Sequence, residues 1–103
     1  MISIKEIDHK DFELCFELDS NTICLWTKKQ WENEFRKKGV KVVAILKREE
    51  IIGIYVVHTI CDEAQINFFS IKKNLRQKGY GSYLMSYLIK QCEKLKIKKI
   101  ILE

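Results

Sequence analysis

Three apolar runs follow one another between residues 40 and 71, separated only by short polar segments. They read VKVVAILK, IIGIYVVHTI and CDEAQINFFSI, and they contain many β-branched or aromatic residues. Such residues favour strands, and a charged turn as short as the REE between the first two runs is typical of a hairpin. The segment therefore predicts three consecutive β-strands, of which the first two form a well-buried hairpin.

The residues before this segment predict one strand and two helices. Residues 1 to 7 alternate apolar and polar side chains, as a half-buried strand does, and Asp8 can then cap a short helix. Thr27 and Gln30 have the spacing of a capping box at the start of a second helix. Gly39 is a suitable C′ residue at the end of that helix.

A long helical pattern and a final strand in KIKKIILE complete the predicted order β-α-α-β-β-β-α-β. This order is that of an α/β or α+β fold in which one helix crosses over between neighbouring strands. With 103 residues, of which 47% are hydrophobic, the chain fits one globular domain. We expect residues 1–103 to form that single domain.

Composition narrows the classes of function. No run of about 18 apolar residues occurs and no export signal follows Met1, so we expect a cytoplasmic protein without a membrane partner. The four cysteines stand far apart without a CxxC pair, which argues against a zinc or redox motif. The net charge of +5 suits a polyanionic ligand or a ribosome, and equally an ordinary solvated surface. No aromatic-interleaved basic patch occurs, so direct binding of nucleic acid is not expected.

The segment KKNLRQKGYGSYLMSYLIK places Gly79 and Gly81 at the start of the long helix, after a basic run. Unpaired backbone N–H groups there point the same way at the positive end of the helix dipole and form an anion site. Ser82 adds a hydroxyl donor, while Arg76 and Lys78 add charge at the rim. This arrangement fits a pyrophosphate better than a carboxylate. The alternative is that Gly79 only ends a loop and Gly81 only lets the helix pack closely.

The residues around the glycine pair carry a family resemblance. The chain has no Walker A loop, and Leu84 stands where a dinucleotide fingerprint has its third glycine. RQKGYGSYLM instead resembles the acetyl-CoA signature R/Q-x-x-G-x-G/A of the GNAT acetyltransferase superfamily, with Arg76, Gly79 and Gly81 in its three defining places. More narrowly, DEAQINFFSI and LWTKKQWENEF resemble the RimI-type ribosomal-protein N-terminal alanine acetyltransferases, whose usual Pro-Trp-Ser/Thr reads LWT in this chain.

The resemblance implies a mixed, mostly antiparallel sheet flanked by helices and an enzyme that uses acetyl-CoA and no metal. It implies transfer of an acetyl group to an amine by direct attack in a ternary complex. The expected acceptor is the α-amine of a peptide or protein N-terminus, for example of a ribosomal protein. A small-molecule amine is a variant of the same hypothesis. The alternative is a catalytically impaired, truncated module that binds CoA or a protein partner.

The resemblance also assigns roles to individual residues. The pantetheine arm would pair with the backbone of Phe69, Ser70 and Ile71, and the pyrophosphate would lie on the amides of residues 77 to 82. Glu103 would act as the catalytic general base through a water molecule. The complete set of expected cofactor-binding residues is Phe69, Ser70, Ile71, Arg76, Gln77, Lys78, Gly79, Tyr80, Gly81 and Ser82.

Members of this family continue beyond the strand that would end at Glu103, with a helix bearing the tyrosine general acid and two more strands. We therefore expect residues 1–103 to be a C-terminally incomplete domain that lacks these elements. A partial domain, an incomplete gene model and a homodimer in which a second chain completes the sheet stay open as explanations. None of the tyrosines present is assigned as the acid.

Overall fold

The computed structural model describes residues 1–102. It contains the strands β1 (Ile2–Ile7), β2 (Val40–Lys47), β3 (Glu50–Ile60), β4 (Glu63–Ile71) and β5 (Lys99–Leu102). The helices are α1 (Phe12–Ser20), α2 (Lys28–Arg36) and α3 (Tyr80–Lys94), with 3-10 turns at His9–Asp11 and Lys73–Leu75. The order of strands and α-helices confirms the predicted β-α-α-β-β-β-α-β.

The strands form one sheet in the order β1-β2-β3-β4-β5. The pairs β1–β2, β2–β3 and β3–β4 are antiparallel. For β2–β3 and β3–β4 this follows from the two-residue connections, which leave no room for a crossover. The pair β4–β5 is parallel and is joined through α3. The sheet is therefore mixed and mostly antiparallel, as expected.

The helices cover the two faces of the sheet separately. On one face, Leu84 and Leu88 of α3 pack with Tyr55. On the other face, Trp31 of α2 packs with Phe68 and with residues of α1. Because successive side chains of a strand point to opposite faces, β2 and β3 contribute alternate residues to these two clusters.

An irregularity in β4 interrupts this alternation. Val56 pairs with Phe68 and Val57 with Ile66, so Asn67 is an extra residue in β4. Such a bulge bends the strand and increases its twist. The parallel ladder with β5 covers only Glu63–Ile66, and no described residue of β5 pairs with β4 after the bulge.

Gly39 does not have the expected place as the C′ residue of α2. The helix ends at Arg36 with Lys37 as the C-cap, and Gly39 follows two residues later with a φ of +83°. Its carbonyl accepts a hydrogen bond from the Thr59 N–H at 2.9 Å, and a Cβ there would lie 2.9 Å from the Thr59 carbonyl oxygen. The assignment of Gly39 as the C′ residue was wrong, because the C′ position after Lys37 is residue 38. The glycine instead allows a close approach to β3.

Within residues 1–102, no helix is long and apolar enough to cross a membrane. The same residues contain no group of three His, Cys, Asp or Glu side chains that could hold a metal ion.

Candidate functional site

The connection between β4 and α3 leaves the first turn of α3 uncapped. Gly79 is the N-cap residue, with a φ of +89° and no side-chain hydrogen bond to the helix. The Tyr83 N–H donates to the Gly79 carbonyl at 3.0 Å, which closes the first turn. The N–H groups of Tyr80, Gly81 and Ser82 precede it and have no acceptor within the helix. With the helix dipole, they form a positive site open to an anion.

The structure explains glycine at position 79 differently from glycine at position 81. Gly79 lies in the left-handed region, and a Cβ added to it meets no atom within 4 Å, so its conformation and not its surroundings requires glycine. Gly81 has no positive φ, and its Cβ would lie 3.8 Å from Ile71 Cγ1, an ordinary contact. Position 81 therefore has room for one methyl group, whereas position 79 depends on a backbone that L-residues rarely adopt.

The end of β4 has backbone groups without a strand partner among the described residues, beside this helix terminus. The Lys72 N–H donates to the Ile52 carbonyl at 2.8 Å, so the backbone of Lys72 faces β3. Since backbone groups alternate in direction along an antiparallel strand, those of Ser70 also face β3, while those of Phe69 and Ile71 face the opposite edge. No described residue of β5 reaches that edge. Among residues 1–102 this edge has no strand partner, so its backbone groups suit a ligand that pairs like a strand.

Arg76 binds to this same edge. Its Nε donates to the Ile71 carbonyl at 3.0 Å, and its Nη2 lies 3.4 Å from Ser70 Oγ. The Ser70 side chain is buried. Arg76 therefore braces the connection against β4 and keeps its positive charge near the N-terminus of α3. Its remaining N–H groups can still face an anion.

The other basic residues of the connection differ in their partners. Lys72 Nζ lies 2.8 Å from Glu50 Oε2, and this hydrogen bond and charge lower the pKa of the Glu50 carboxyl. Lys73 and Lys78 are exposed and form no ion pair with any residue in 1–102. Lys47 was not predicted for this region, yet its Nζ lies 5.7 Å from the centroid of the Tyr80 ring. Only the pairing of distant strands brings it there.

A buried carboxylate organises the other face of the sheet. Asp19, at 0% exposure, accepts hydrogen bonds at Oδ1 from the Leu25 N–H and at Oδ2 from the Trp26 N–H, both at 2.8 Å. Its Oδ2 also accepts from Trp31 Nε1 at 2.8 Å. The sequence did not predict this role, because a single acid at the end of a helix carries no local signal for partners as many as 12 residues away.

Three aromatic rings connect this carboxylate to β4. The Trp26 ring lies 4.8 Å from that of Trp31 and 5.8 Å from that of Phe68, measured between centroids. The Trp31 and Phe68 rings are 5.0 Å apart, edge to face. Phe68 directly precedes the open edge of β4. The segment between α1 and α2 is thereby packed over the bulge.

The structure brings most of the expected site residues together. Residues 69 to 71 and 76 to 82 all lie at the junction of β4 and α3. The expected base, Glu103, lies outside the described residues.

The chain matches the family model described as "Acetyltransferase (GNAT) family" over residues 2–103. It belongs to the GNAT acetyltransferase family. The family resemblance predicted from Arg76, Gly79 and Gly81 is thereby confirmed. No curated protein matches the chain significantly.

Several solved structures share the fold of this GNAT chain at low sequence identity. The ribosomal-protein-S18-alanine N-acetyltransferase from Escherichia coli superposes with a TM-score of 0.92 at 16% identity, over 99% of this chain and 66% of its own. PaiA N-acetyltransferase from Thermoplasma acidophilum, in complex with coenzyme A, has a TM-score of 0.82 at 16% identity, over 99% and 78%. An aminoglycoside acetyltransferase from an uncultured soil metagenomic sample has a TM-score of 0.80 at 11% identity, over 99% and 76%. The chain thus spans about two thirds to four fifths of these relatives.

Proposed function

We propose that this GNAT chain binds acetyl-CoA, with the pyrophosphate on the backbone amides of residues 77 to 82 and the pantetheine arm along Phe69–Ile71. The observation that carries this proposal is the uncapped N-terminus of α3 beside the open edge of β4. The helix end offers N–H donors and a positive dipole to the phosphates. The strand edge offers the N–H groups of Phe69 and Ile71 and the C=O of Phe69 to the amides of the arm, while the Ile71 C=O accepts from Arg76. The coenzyme A in the Thermoplasma acidophilum relative supports the choice of ligand.

The proposed reaction is acetyl transfer to an amine. The nitrogen of the neutral amine forms a bond to the thioester carbonyl carbon and then gives up a proton, and the C–S bond breaks to release CoA thiolate, which takes up a proton. The oxyanion of the tetrahedral intermediate needs an N–H donor, and those of Phe69 and Ile71 point to the edge where the arm would lie. The role of Glu103 as general base through water stays a prediction from the family resemblance.

The acceptor that we favour is the α-amine of a peptide or protein N-terminus that begins with alanine. The LWT segment supports this choice, as does the likeness to the Escherichia coli relative, which is named for a ribosomal-protein alanine. The aminoglycoside acetyltransferase shows that the same fold also occurs in enzymes named for small amines. The ribosomal partner, the homodimer and the alternative of a non-catalytic CoA-binding module stay predictions.

The test combines CoA binding with acetyl transfer. Purified protein is mixed with acetyl-CoA and an alanine-starting peptide, and the acetylated peptide is measured by mass spectrometry, with the N-terminally blocked peptide as control. We expect acetylation of the free peptide only. An aminoglycoside and a polyamine serve as competing acceptors, and preferred acetylation of either one would replace the proposed acceptor. CoA binding without transfer to any acceptor would favour the non-catalytic module.

A matched pair of variants tests the site itself. Ser82 and Ser86 are both exposed residues of α3 and lie one turn apart, but only Ser82 belongs to the uncapped first turn. We expect Ser82→Ala to weaken CoA binding several-fold by calorimetry, since one hydrogen bond to a charged group is lost. Ser86→Ala should leave the affinity unchanged. Equal affinities for both variants, or no binding of CoA to the unmodified protein, would contradict the site.

A further inference from the structure

Lys47 adds a positive charge near the start of α3. β2 and β4 run in the same direction, because each of them is antiparallel to β3. Lys47 is the last residue of β2, so it lies at the end of the sheet where β4 also ends and α3 begins. Its Nζ lies 5.7 Å from the centroid of the Tyr80 ring, and Tyr80 is the first residue of α3. The contact therefore joins a strand to the helix end that carries the unpaired N–H groups.

The alternation of side chains along β2 explains why Lys47 reaches the helix. Val43 and Ile45 belong to the cluster that packs against α3, whereas Leu46 belongs to the cluster on the opposite face. Because successive side chains of a strand point to opposite faces, Lys47 points to the face that α3 covers. Tyr80 packs against the same cluster as Ile45, so its ring is held over the sheet beside the lysine.

No carboxylate among residues 1–102 forms an ion pair with Lys47. Glu50, its register partner across the β2–β3 hairpin, is bound to Lys72 Nζ at 2.8 Å instead. A cation near a helix N-terminus is repelled by the positive end of the helix dipole, so this position of Lys47 costs free energy unless an anion lies nearby. The contact with the Tyr80 ring, within the roughly 6 Å of a cation–π interaction, offsets part of the repulsion.

Lys47 is close enough to the proposed phosphate site to act through its charge. A tyrosine ring centroid lies at most about 5 Å from the backbone nitrogen of the same residue, so Lys47 Nζ lies within about 11 Å of the Tyr80 N–H. The Debye length is about 10 Å at 0.1 M ionic strength and about 3 Å at 1 M. Attraction between Lys47 and a phosphate on this N–H group is therefore effective at low salt and screened at high salt.

We propose that Lys47 is a specificity-determining residue that favours a ligand with a diphosphate at the start of α3. Its ammonium group, held over the Tyr80 ring, raises the positive potential at the N–H groups of residues 80 to 82. It acts from β2, which is separated from β4 by β3, and through its charge rather than through a hydrogen bond of the backbone site. The inference rests on the proposed function, because it takes CoA as the ligand.

Calorimetric titration of CoA at low and high salt tests the proposal. We expect Lys47→Met to weaken CoA binding about threefold to fivefold at low salt, as Coulomb's law gives for the loss of one charge about 10 Å from a diphosphate in water. The same variant should match the unmodified protein at about 1 M NaCl, where the charge is screened. Lys47→Arg should retain the affinity, since arginine keeps the charge and also binds to aromatic faces.

Lys41 provides a matched control on the same strand. It is exposed, forms no ion pair within residues 1–102 and lies near the other end of β2, about 20 Å from Lys47 at about 3.4 Å per residue. Lys41→Met removes the same charge from the protein, and we expect it to leave CoA affinity unchanged at both salt concentrations. Equal losses in Lys41→Met and Lys47→Met would overturn the proposal, because net charge and not position would then be the cause.

Dephospho-CoA identifies the phosphate that Lys47 attracts. It keeps the diphosphate of CoA and lacks the 3′-phosphate, so Lys47→Met should weaken the binding of both ligands by the same factor. A loss seen with CoA only would overturn the assignment to the diphosphate. A loss that persists undiminished at high salt would also overturn the proposal, since Lys47 would then support the site by packing alone. Absence of CoA binding to the unmodified protein is a different result, because it contradicts the proposed function first.

Discussion

Replacing the two glycines at the start of α3 by alanine, one at a time, is expected to change stability in opposite directions. Gly79 has a φ of +89°, and an L-residue in the left-handed region costs about 1–2 kcal/mol. No neighbour within 4 Å adds a steric term. We therefore expect Gly79→Ala to lower the free energy of unfolding by about 1–2 kcal/mol.

Gly81 lies inside the first turn of α3, and a Cβ there would make one ordinary contact with Ile71 at 3.8 Å. Alanine restricts the unfolded chain and favours the helix, so Gly81→Ala should raise the free energy of unfolding by about 0.5 kcal/mol. Gly81→Val adds two further methyl groups near the N–H groups, and we expect it to abolish CoA binding while the fold is retained.

Urea unfolding followed by circular dichroism measures the stabilities, and calorimetry with CoA measures the site. Gly79→Ala should weaken CoA binding, because alanine disfavours the positive φ that orients the N–H groups of the residues that follow. Gly81→Ala should retain CoA binding. A Gly79→Ala variant as stable as the unmodified protein would refute the conformational reason given for this glycine. Undiminished CoA affinity in both Gly79→Ala and Gly81→Val would refute the phosphate site.

Three further predictions concern other parts of the chain. Arg48 and Glu49 form the β2–β3 turn with φ values of +53° and +67°, so replacing the pair by Asn-Gly should raise the free energy of unfolding by about 1–2 kcal/mol in urea titrations; no change would show that the turn is not strained. Thr27 and Gln30 form both hydrogen bonds of a capping box, so Thr27→Ala should cost about 1 kcal/mol, while Thr27→Ser should restore most of it. Burial raises the pKa of the Cys15 thiol from 9.0 to about 12, so at pH 8 a thiol reagent should modify the exposed Cys24 and Cys61 quickly and Cys15 only after unfolding. Because the folded state retains a proton that the unfolded state releases, the contribution of Cys15 to stability should fall as the pH rises above about 9, and Cys15→Ala should reduce this slope. Equal reactivity of all three thiols in the native protein would contradict the burial.

Much of the fold could be predicted because its signals are local. The capping box of α2 lies within four consecutive residues, and both of its hydrogen bonds are present. The apolar runs between residues 40 and 71 became β2, β3 and β4, since their short turns allow only antiparallel pairing. The glycine pair marked the N-terminus of α3, because an N-cap with positive φ needs glycine.

The rest of the site depends on contacts between distant residues. Arg76 was expected at the rim, but its side chain binds Ile71 and Ser70 because the turn after β4 folds back on the strand. Lys47 reaches Tyr80 only through the pairing of β2 with β3 and the packing of α3 on the sheet. The partners of Asp19 could not be predicted, since a carboxylate carries no local signal for the donors that it will meet.

The sequence by itself determined the order of the elements, the family and the place of the glycine pair, because periodicity, capping and backbone preference act over a few residues. Only the tertiary structure decided that β4 bulges at Asn67, that its edge beyond β5 has no strand partner within the described residues, and that Asp19 holds the backbone between α1 and α2. The physical reason is that register, edge exposure and buried hydrogen bonds are settled by which elements pack together, and packing joins residues that are far apart in the chain.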